Sequence, residues 1–332
     1  MSEHADGNAA HDIEGLALHL LGGTQAAALA CLDWVGHGDS KAADGAAVAA
    51  MRDAFSSVPG QGRVVIGEGE KDEAPMLYNG EEVGEGTGPR FDLAIDPLEG
   101  TKYCAQGLDG AISVIAAARP DSLWATSGFY MDKLVVGSGA AGAIDITKPA
   151  EENLSSVADA LGKQVEELTV VVLDKPRHED LIERVRKAGA AVVAIPDGDV
   201  MGSLRALMPG GGVDLALGVG GTPEGVITAC AARVLGGDMQ CRLAPQQDEE
   251  REKLEEEEDI ELERVLTLDD LVATDDCVFV ATAVTTGTLM RAPERTPWGW
   301  RTHSLVVTPR HRGLHVQALL RRPQSGRTEA RS

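Results

Sequence analysis

The sequence predicts an α/β protein, with an α+β N-terminal half and an α/β C-terminal half. Two helix-like segments open the chain, and apolar runs of strand length follow them. From residue 168 onwards, apolar runs alternate with amphipathic helical segments, a series typical of a parallel sheet with right-handed crossovers. The 332 residues are 43% hydrophobic and 25% charged, which is ordinary for a soluble globular protein with a full core.

The N-terminal half begins with predicted helices at 12–35 and 44–57. In the second of these, Val48, Met51 and Phe55 fall on one face, so we expect that face to be buried. Glycine and proline mark the turns between the strands that follow. Those strands are predicted at 63–66, 91–95, 111–118 and 133–136.

The C-terminal half shows a regular alternation, and its third helix begins after Thr222 with Pro223 at an early helical position. A long acidic insertion at 236–268 follows that helix. The predicted strands are 168–173, 190–195 and 213–217, the helices 178–188, 200–208 and 223–235, and the final strands 277–283, 304–308 and 314–320.

These segments predict two coupled domains. The first comprises residues 1–150 together with returning strands at about 277–320. The second comprises residues 151–276 and contains the acidic insertion at 245–264. Residues 248–263 hold 11 acidic and 2 basic side chains. Because like charges repel and resist burial, we interpret this segment as a solvated loop or an exposed helix rather than a metal site.

The net charge of −23 argues against nucleic acid and anionic membranes as partners. The acidic N-terminus lacks the features of a signal peptide, and no apolar run approaches the ~20 residues of a membrane span. The five cysteines are scattered, without the paired spacing of a zinc site. Reduced thiols and a cytoplasmic location are therefore predicted.

The segment Asp96-Pro97-Leu98-Glu99-Gly100-Thr101 follows an apolar strand and places two carboxylates and a hydroxyl on one tight turn. A second apolar run, 64–66, ends in Gly67-Glu68-Gly69-Glu70. Carboxylate oxygens are the ligands of hard divalent cations, and the eight histidines lack the paired spacing of a zinc site. The pattern indicates Mg²⁺ or Mn²⁺ and chemistry on a phosphoryl group.

Three further carboxylates have alternative interpretations. Asp44 is either a helix N-cap or a metal ligand or base, and Glu224 either stabilises a helix dipole or reaches the cleft as a ligand. Glu70 either supports the ligands or belongs to an acidic loop. Five carboxylates in one cleft would repel a phosphate ester, so two or more divalent cations per site are expected.

Ligands of open α/β sheets bind at the carboxyl ends of the strands. Those ends carry Asp174-Lys175-Pro176-Arg177, then Asp197-Gly198-Asp199, then Gly220-Gly221-Thr222. Such loops suit a phosphorylated polyhydroxyl compound, although ordinary polar loops would look similar. The chain has no GxxxxGK[ST] loop, so nucleotide binding is poorly supported.

Together these motifs resemble the lithium-sensitive phosphatase superfamily, whose metal motif is Asp-Pro-φ-Asp/Glu-Gly-Thr. More closely, the chain resembles the class II (GlpX-type) fructose-1,6-bisphosphatases over about residues 11–320. One departure is Ser40, where the family often carries a lysine, although Lys41 follows it. The matching stretches are 38–39, 43–48, 66–78, 96–101, 130–134, 175–178, 195–200 and 220–226.

The resemblance implies a layered α-β-α-β-α fold and a homodimer or homotetramer. It implies that water hydrolyses the 1-phosphate of fructose 1,6-bisphosphate, in gluconeogenesis and glycerol metabolism, and that Thr101, Asp44 and Glu70 serve catalysis. The implied metal ligands are Asp44, Glu68, Asp96, Glu99 and Glu224. The implied substrate contacts are Glu99, Gly100, Thr101, Tyr130, Lys175, Pro176, Arg177, Asp197, Gly198, Asp199 and Gly221.

Within this group, Tyr130, Lys175 and Arg177 would hold the phosphate that is not cleaved. Two alternatives stay open at this point. One is a dual enzyme that also cleaves sedoheptulose 1,7-bisphosphate in carbon fixation, because the same anchor could serve a longer sugar. The other is a protein that senses metals or sugar phosphates without catalysis.

Overall fold

The computed structural model describes residues 13–67, 76–125, 128–256 and 261–320, which form two mixed β-sheets and the helices that cover them. The helices are α1 (Ala17–Ala30), α2 (Ser40–Phe55), α3 (Thr101–Gln106), α4 (Ala150–Leu161), α5 (Glu179–Lys187), α6 (Asp199–Leu207), α7 (Thr222–Leu235), α8 (Asp248–Glu255) and α9 (Leu268–Leu271). The strands are β1 (Gly60–Ile66), β2 (Glu82–Thr87), β3 (Arg90–Glu99), β4 (Ile112–Ala118), β5 (Tyr130–Val136), β6 (Thr169–Leu173), β7 (Ala191–Ile195), β8 (Leu215–Gly221), β9 (Asp238–Leu243), β10 (Leu266–Thr267), β11 (Cys277–Ala283), β12 (Glu294–Thr296), β13 (Gly299–Val307) and β14 (Leu314–Leu320).

The first sheet has the strand order β12-β13-β11-β4-β3-β1-β2, and β14 also pairs with β13. Strands β1 and β3 run parallel, while β3 and β4 and the returning strands pair antiparallel. Helices α1 and α2 bury their apolar side chains against one face of this sheet. The strands predicted at 63–66, 91–95 and 111–118 and the three final strands are confirmed as members of it.

The second sheet has the strand order β10-β9-β5-β8-β6-β7. The predicted parallel arrangement is correct for β6, β7 and β8. It is wrong for the sheet as a whole, because β5 lies antiparallel between β8 and β9. Strand β5 was expected to belong with the N-terminal half, and β9 falls in the segment predicted as an acidic insertion.

The two sheets and three groups of helices form five layers. Helices α6 and α7 fill the space between the sheets, where one apolar cluster joins residues of both. Helices α4 and α5 cover the outer face of the second sheet, and α1 and α2 cover the outer face of the first. The expected α-β-α-β-α layering is therefore present, and α7 is the element that reaches both sheets.

Helix α1, with the short turns on either side of it, is long and apolar enough to cross a membrane by length and composition alone. The prediction that no apolar run approaches such a length is therefore wrong for the segment Glu14–Asp33. In the fold, however, 56% of this segment is buried, and its apolar side chains pack on α2 and the first sheet. These contacts are those of a core helix.

Candidate active site

A β-bulge at the end of β3 brings two acidic side chains to one face of the first sheet. On a regular strand, residues three positions apart point to opposite faces. Here Asp96 lies opposite Val114 and Glu99 lies opposite Ile112, so three steps along β3 match two along β4. The extra residue in β3 shifts the alternation of its side chains by one position, so both carboxylates point to the same face.

Backbone amides fix these carboxylates in place. Glu99, which is 5% exposed, accepts hydrogen bonds from the Val200 amide at 2.7 Å and from the Gly100 amide at 3.1 Å. Asp96 accepts one from the Leu98 amide at 3.0 Å. Gly100 has a φ of +79°, and a Cβ there would lie 2.9 Å from the Tyr103 ring, so this turn requires glycine.

Helix α7 contributes a third carboxylate from the layer between the sheets. Glu224 lies in its first turn, and one oxygen each from Asp96, Glu99 and Glu224 lie within 4.8 Å of one another. We call these three residues the carboxylate cluster. The Glu224 Oε2 atom is buried and has no hydrogen-bond partner among the described residues. A buried acceptor without a donor, beside two other carboxylates, fits a bound cation.

The environment of the cluster raises the pKa values of its members. Burial, followed by the charge of Asp199, raises the pKa of Glu224 to about 7. Burial is also the main cause of the raised pKa of Glu99, and the neighbouring carboxylates add to it. The carboxylates therefore repel one another, and a divalent cation would relieve that repulsion.

A buried lysine balances part of this negative charge. Lys133 of β5 is 5% exposed, and its Nζ atom donates to Asp199 Oδ2 and, at 2.8 Å, to the Gly221 carbonyl. Asp199 is the first residue of α6, so Lys133 joins β5 to α6 and to the end of β8. The ammonium pairs with Asp199 and also lowers the pKa of Glu224, but burial and the neighbouring carboxylates outweigh it there.

The loop after β6 carries the basic side chains of the site, and we call residues 174–178 the cationic loop. Arg177 donates through Nε and Nη2 to the Val219 carbonyl, at 3.2 and 2.7 Å, and its Cζ lies 5.4 Å from the centre of the Tyr130 ring. Lys175 donates to the Pro196 carbonyl at 2.7 Å, and Pro176 begins a short turn between the two. Both basic groups thus bond to neutral acceptors and keep their positive charge.

His178 bonds to the amide of Val219, the residue whose carbonyl accepts from Arg177. The Val219 amide donates to His178 Nε2 at 2.8 Å, so Nδ1 carries the proton and donates to the Leu173 carbonyl, also at 2.8 Å. Burial lowers the pKa of His178, which keeps this imidazole neutral. The cationic loop is thereby fixed to β8.

The loop after β7 faces the turn at Gly100. Asp197 accepts a hydrogen bond from the Lys102 amide at 3.0 Å, which ties this loop to the start of α3. Gly198 adopts a φ of +79°, and a Cβ there would lie 3.1 Å from the Tyr103 ring. Burial, followed by the nearby Lys102 ammonium, lowers the pKa of Lys175, so these two basic side chains lie close together.

The other predicted site residues lie at the start of helices. Asp39 is the N-cap of α2, because its Oδ1 accepts from the Ala42 amide at 2.9 Å, so the N-cap alternative for Asp44 is wrong. Burial raises the pKa of Asp44, which lies in the second turn. Thr101 is the first residue of α3, and no hydrogen bond joins it to Asp44 within the described part of the chain. Glu68 and Glu70 lie outside the described residues.

Sequence reasoning missed Lys133 and His178 as parts of the site. A lysine within a strand and a histidine in a helical segment are usually exposed. Their partners, Asp199 and Val219, are distant in the sequence, so no local spacing marks them. One signal was available: a charged residue inside an apolar strand needs a buried partner, and Asp199 was already expected at a strand end.

Comparison with protein families gives a match over residues 14–318 to the model described as bacterial fructose-1,6-bisphosphatase, glpX-encoded. The class 2 fructose-1,6-bisphosphatase of Haemophilus influenzae is 49% identical over 244 residues, which cover 72% of this chain and 73% of that protein. The class 2 fructose-1,6-bisphosphatase 1 of Escherichia coli K12 is 48% identical over 240 residues, which cover 72% and 71%.

Proposed function

We propose a division of the metal-binding, catalytic and substrate-binding roles among the residues of this chain, which belongs to the glpX-encoded, class II family and is a fructose-1,6-bisphosphatase. As a phosphoric monoester hydrolase, it releases phosphate from fructose 1,6-bisphosphate and leaves fructose 6-phosphate. The observation that carries the division is the meeting of Asp96, Glu99 and Glu224 at one point, while the basic side chains of the cationic loop bond to the end of β8 that leads into the helix of Glu224. The sugar would span these two charged regions.

Asp96, Glu99 and Glu224 would hold divalent cations, with Asp44 and Glu68 completing the ligand set. Their oxygen-only donors fit Mg²⁺ or Mn²⁺, and two or more ions per site would balance the charge. Such cations, when bound, lower the pKa of water and neutralise the reacting phosphate. The raised pKa values of Glu99 and Glu224 support this reading, because both side chains gain from a nearby positive charge.

Thr101 would orient the attacking water at the start of α3, and Asp44 or Glu70 would accept the proton that the water loses. The water oxygen forms a bond to phosphorus while the bond between phosphorus and the C1 oxygen breaks. The sugar oxygen then takes up a proton and leaves as the C1 hydroxyl. No hydrogen bond joins Thr101 to Asp44 among the described residues, so in this scheme the water lies between them.

Tyr130, Lys175 and Arg177 would bind the phosphate that is not cleaved, and we call them the phosphate anchor. Arg177 is suited to this role because Val219 and the Tyr130 ring fix its guanidinium without neutralising it. The turn at Glu99, Gly100 and Thr101 would contact the other end of the sugar. Its middle would meet the backbone and side chains of Pro176, Asp197, Gly198, Asp199 and Gly221.

The wider setting follows from the family. Cytoplasmic action in gluconeogenesis and in glycerol metabolism is our proposal, and the five free, buried cysteines are compatible with a reducing compartment. A homodimer or homotetramer is proposed on the resemblance alone. The sedoheptulose bisphosphatase and sensor alternatives are not favoured, because the relatives are named fructose-1,6-bisphosphatases.

The decisive experiment measures phosphate release from fructose 1,6-bisphosphate, fructose 1-phosphate, fructose 6-phosphate and sedoheptulose 1,7-bisphosphate. Each is tested with Mg²⁺ or Mn²⁺, with and without Li⁺. We expect cleavage of the 1-phosphate of fructose 1,6-bisphosphate, dependence on the divalent cation, and weak activity on both monophosphates. Equal activity on fructose 1-phosphate would contradict the phosphate anchor.

A further inference from the structure

The acidic segment predicted to be solvated contains one carboxylate that is buried. In α8, Asp248, Glu249 and Glu252 are exposed, as an acidic helix should be. Glu250 is only 6% exposed, and Leu254 is fully buried one turn later. The helix therefore has an inner face, and the interpretation of the segment as wholly solvated is wrong at that face.

Glu250 accepts three backbone hydrogen bonds. Its Oε1 accepts from the Phe129 amide at 2.7 Å and from the Tyr130 amide at 3.1 Å, and its Oε2 accepts from the Gln246 amide at 3.0 Å. Carboxylate bonds of this kind are stronger than those between neutral groups. One side chain of the acidic segment thus accepts hydrogen bonds from the amides of Phe129 and Tyr130, at the start of β5.

At the start of β5, the neighbouring segments bond to the carbonyls of Phe129 and Tyr130 and leave the amides of these residues to another acceptor. Thr222 donates its amide to the Phe129 carbonyl at 2.9 Å, and Ala244 donates to the Tyr130 carbonyl at 2.9 Å. Because β8 ends at Gly221 and β9 ends at Leu243, no strand carbonyl continues the ladder to these amides in the described part of the chain. Glu250 completes the hydrogen bonding of this sheet end.

The apolar contacts of α8 fix the same place. A Cβ at Gly128 would lie 2.8 Å from Leu243 and 3.5 Å from Leu254, so the helix packs closely over the backbone just before Phe129. The Tyr130 ring, immediately after, lies beneath the Arg177 guanidinium. The acidic helix therefore lies beside the phosphate anchor, because Gly128, on which it packs, is separated from Tyr130 only by Phe129.

We propose that Glu250 is a positioning residue for substrate binding: by holding the Phe129 and Tyr130 amides, it sets the Tyr130 ring under Arg177. The proposal rests on the function assigned above, in which Tyr130 and Arg177 bind the phosphate that is not cleaved. It gives the acidic segment a role in specificity for bisphosphates. Glu250 does not touch the substrate and does not act on the reacting phosphate.

The test compares Glu250→Ala with Glu249→Ala, which removes a charge from the exposed face of the same helix. Because small displacements of binding groups are costly, Glu250→Ala should raise KM for fructose 1,6-bisphosphate about tenfold and leave kcat within about twofold. For fructose 1-phosphate, which lacks the anchored phosphate, kcat/KM should stay unchanged. Glu249→Ala should match the parent protein on both substrates.

Two further measurements separate positioning from general destabilisation. Glu250→Gln keeps an oxygen for both amides, so it should restore most of the affinity that Glu250→Ala loses. Amide hydrogen exchange should show loss of protection at Phe129 and Tyr130 in Glu250→Ala, with the central strands unchanged. If Glu250→Ala does not fold, the Gln variant decides: a tenfold rise in KM together with intact protection at both amides would overturn the proposal.

The variant Tyr130→Ala separates a failure of the role proposed for Glu250 from a failure of the phosphate anchor on which it rests. If Tyr130→Ala raises KM and Glu250→Ala does not, the role of Glu250 is wrong and the anchor stands. If Tyr130→Ala leaves KM unchanged, the anchor is wrong, and the role of Glu250 falls with it. If both variants raise KM, the double variant should have the same KM as Tyr130→Ala, because Glu250 acts through Tyr130.

Discussion

In the carboxylate cluster, acidic side chains accept hydrogen bonds from backbone amides, whereas in the phosphate anchor, basic side chains donate to backbone carbonyls. Glu99 is bound by the amides of Gly100 and Val200, and Arg177 is bound to the carbonyl of Val219. Both regions are therefore fixed by neutral peptide groups, which orient charged side chains without cancelling their charge.

The difference lies in burial. The cluster contains a buried carboxylate, Glu99, whose pKa is raised, while Lys175 is half-buried and Arg177 is exposed. An enclosed set of like charges gains stability when cations join it, and a cationic pair that solvent can reach is able to bind an anionic ligand. We therefore expect changes in the cluster to lower kcat and changes in the anchor to raise KM.

The largest effect should come from Glu99→Gln, which keeps the shape of the side chain and removes its charge. We expect kcat to fall by about 10³-fold, since electrostatic stabilisation of the reacting phosphate is the main source of the rate. The same variant should raise the melting temperature of the metal-free protein, because it removes repulsion from Asp96, Glu224 and Asp199.

Steady-state kinetics and thermal unfolding in a chelator measure the two responses of this variant. Val200 donates to Oε1 and Gly100 to Oε2, so the single amide oxygen of the variant can keep one of these two hydrogen bonds, and the fold should be retained. A variant that loses activity and stability together would show that Glu99 serves packing rather than cation binding.

Thr101→Ala should have the next largest effect. If the hydroxyl orients the attacking water, its removal should lower kcat by about 10²- to 10³-fold while KM changes little. Thr101→Ser keeps the hydroxyl and is the matched control. Single-turnover phosphate release with both variants would reveal the chemical step, and near-normal turnover in the Ala variant would exclude this role.

A smaller effect, confined to binding, is expected for Arg177→Met. Loss of the guanidinium should raise KM for fructose 1,6-bisphosphate by about 10- to 100-fold, with kcat nearly unchanged. The matched control is Arg186→Met, which removes a positive charge from α5 outside the cationic loop. If kcat in the Arg177 variant fell by as large a factor as KM rose, the assignment of Arg177 to binding alone would be wrong.

The comparison also shows what the sequence could predict. The turn at Asp96–Thr101 was predictable because a buried strand, a glycine and three oxygen ligands are adjacent in the chain. The bulge that aligns Asp96 with Glu99 was not, since it depends on pairing with β4. The position of Glu224 fitted both a ligand and a residue that stabilises a helix dipole, and only the family resemblance favoured the ligand.

The second sheet was predicted less well than the first for a physical reason. Parallel strands buried on both faces read as continuous apolar runs, and β6 is such a strand. Strand β9 instead alternates buried and half-buried residues, and the acidic run after it hid that pattern. Lys133 and Glu250 are charged side chains whose buried positions follow from partners far away in the sequence.

The smallest predicted effect is the pH dependence of stability in the metal-free protein. Glu224 has a pKa of about 7 in the folded protein and an ordinary value of 4.5. An acid whose pKa is raised by folding binds its proton more tightly in the folded state, so stability should fall as pH rises from about 4.5 to about 7. Partial exposure and coupling to neighbours limit the loss to about 2 kcal/mol.

Urea unfolding at a series of pH values in a chelator would measure this change, and Glu224→Gln should flatten it. Saturating Mg²⁺ or Mn²⁺ should also flatten the dependence, because a cation holds the carboxylate ionised. A pH dependence that persists in Glu224→Gln would move its origin from this residue to Glu99, whose pKa is raised by the same burial.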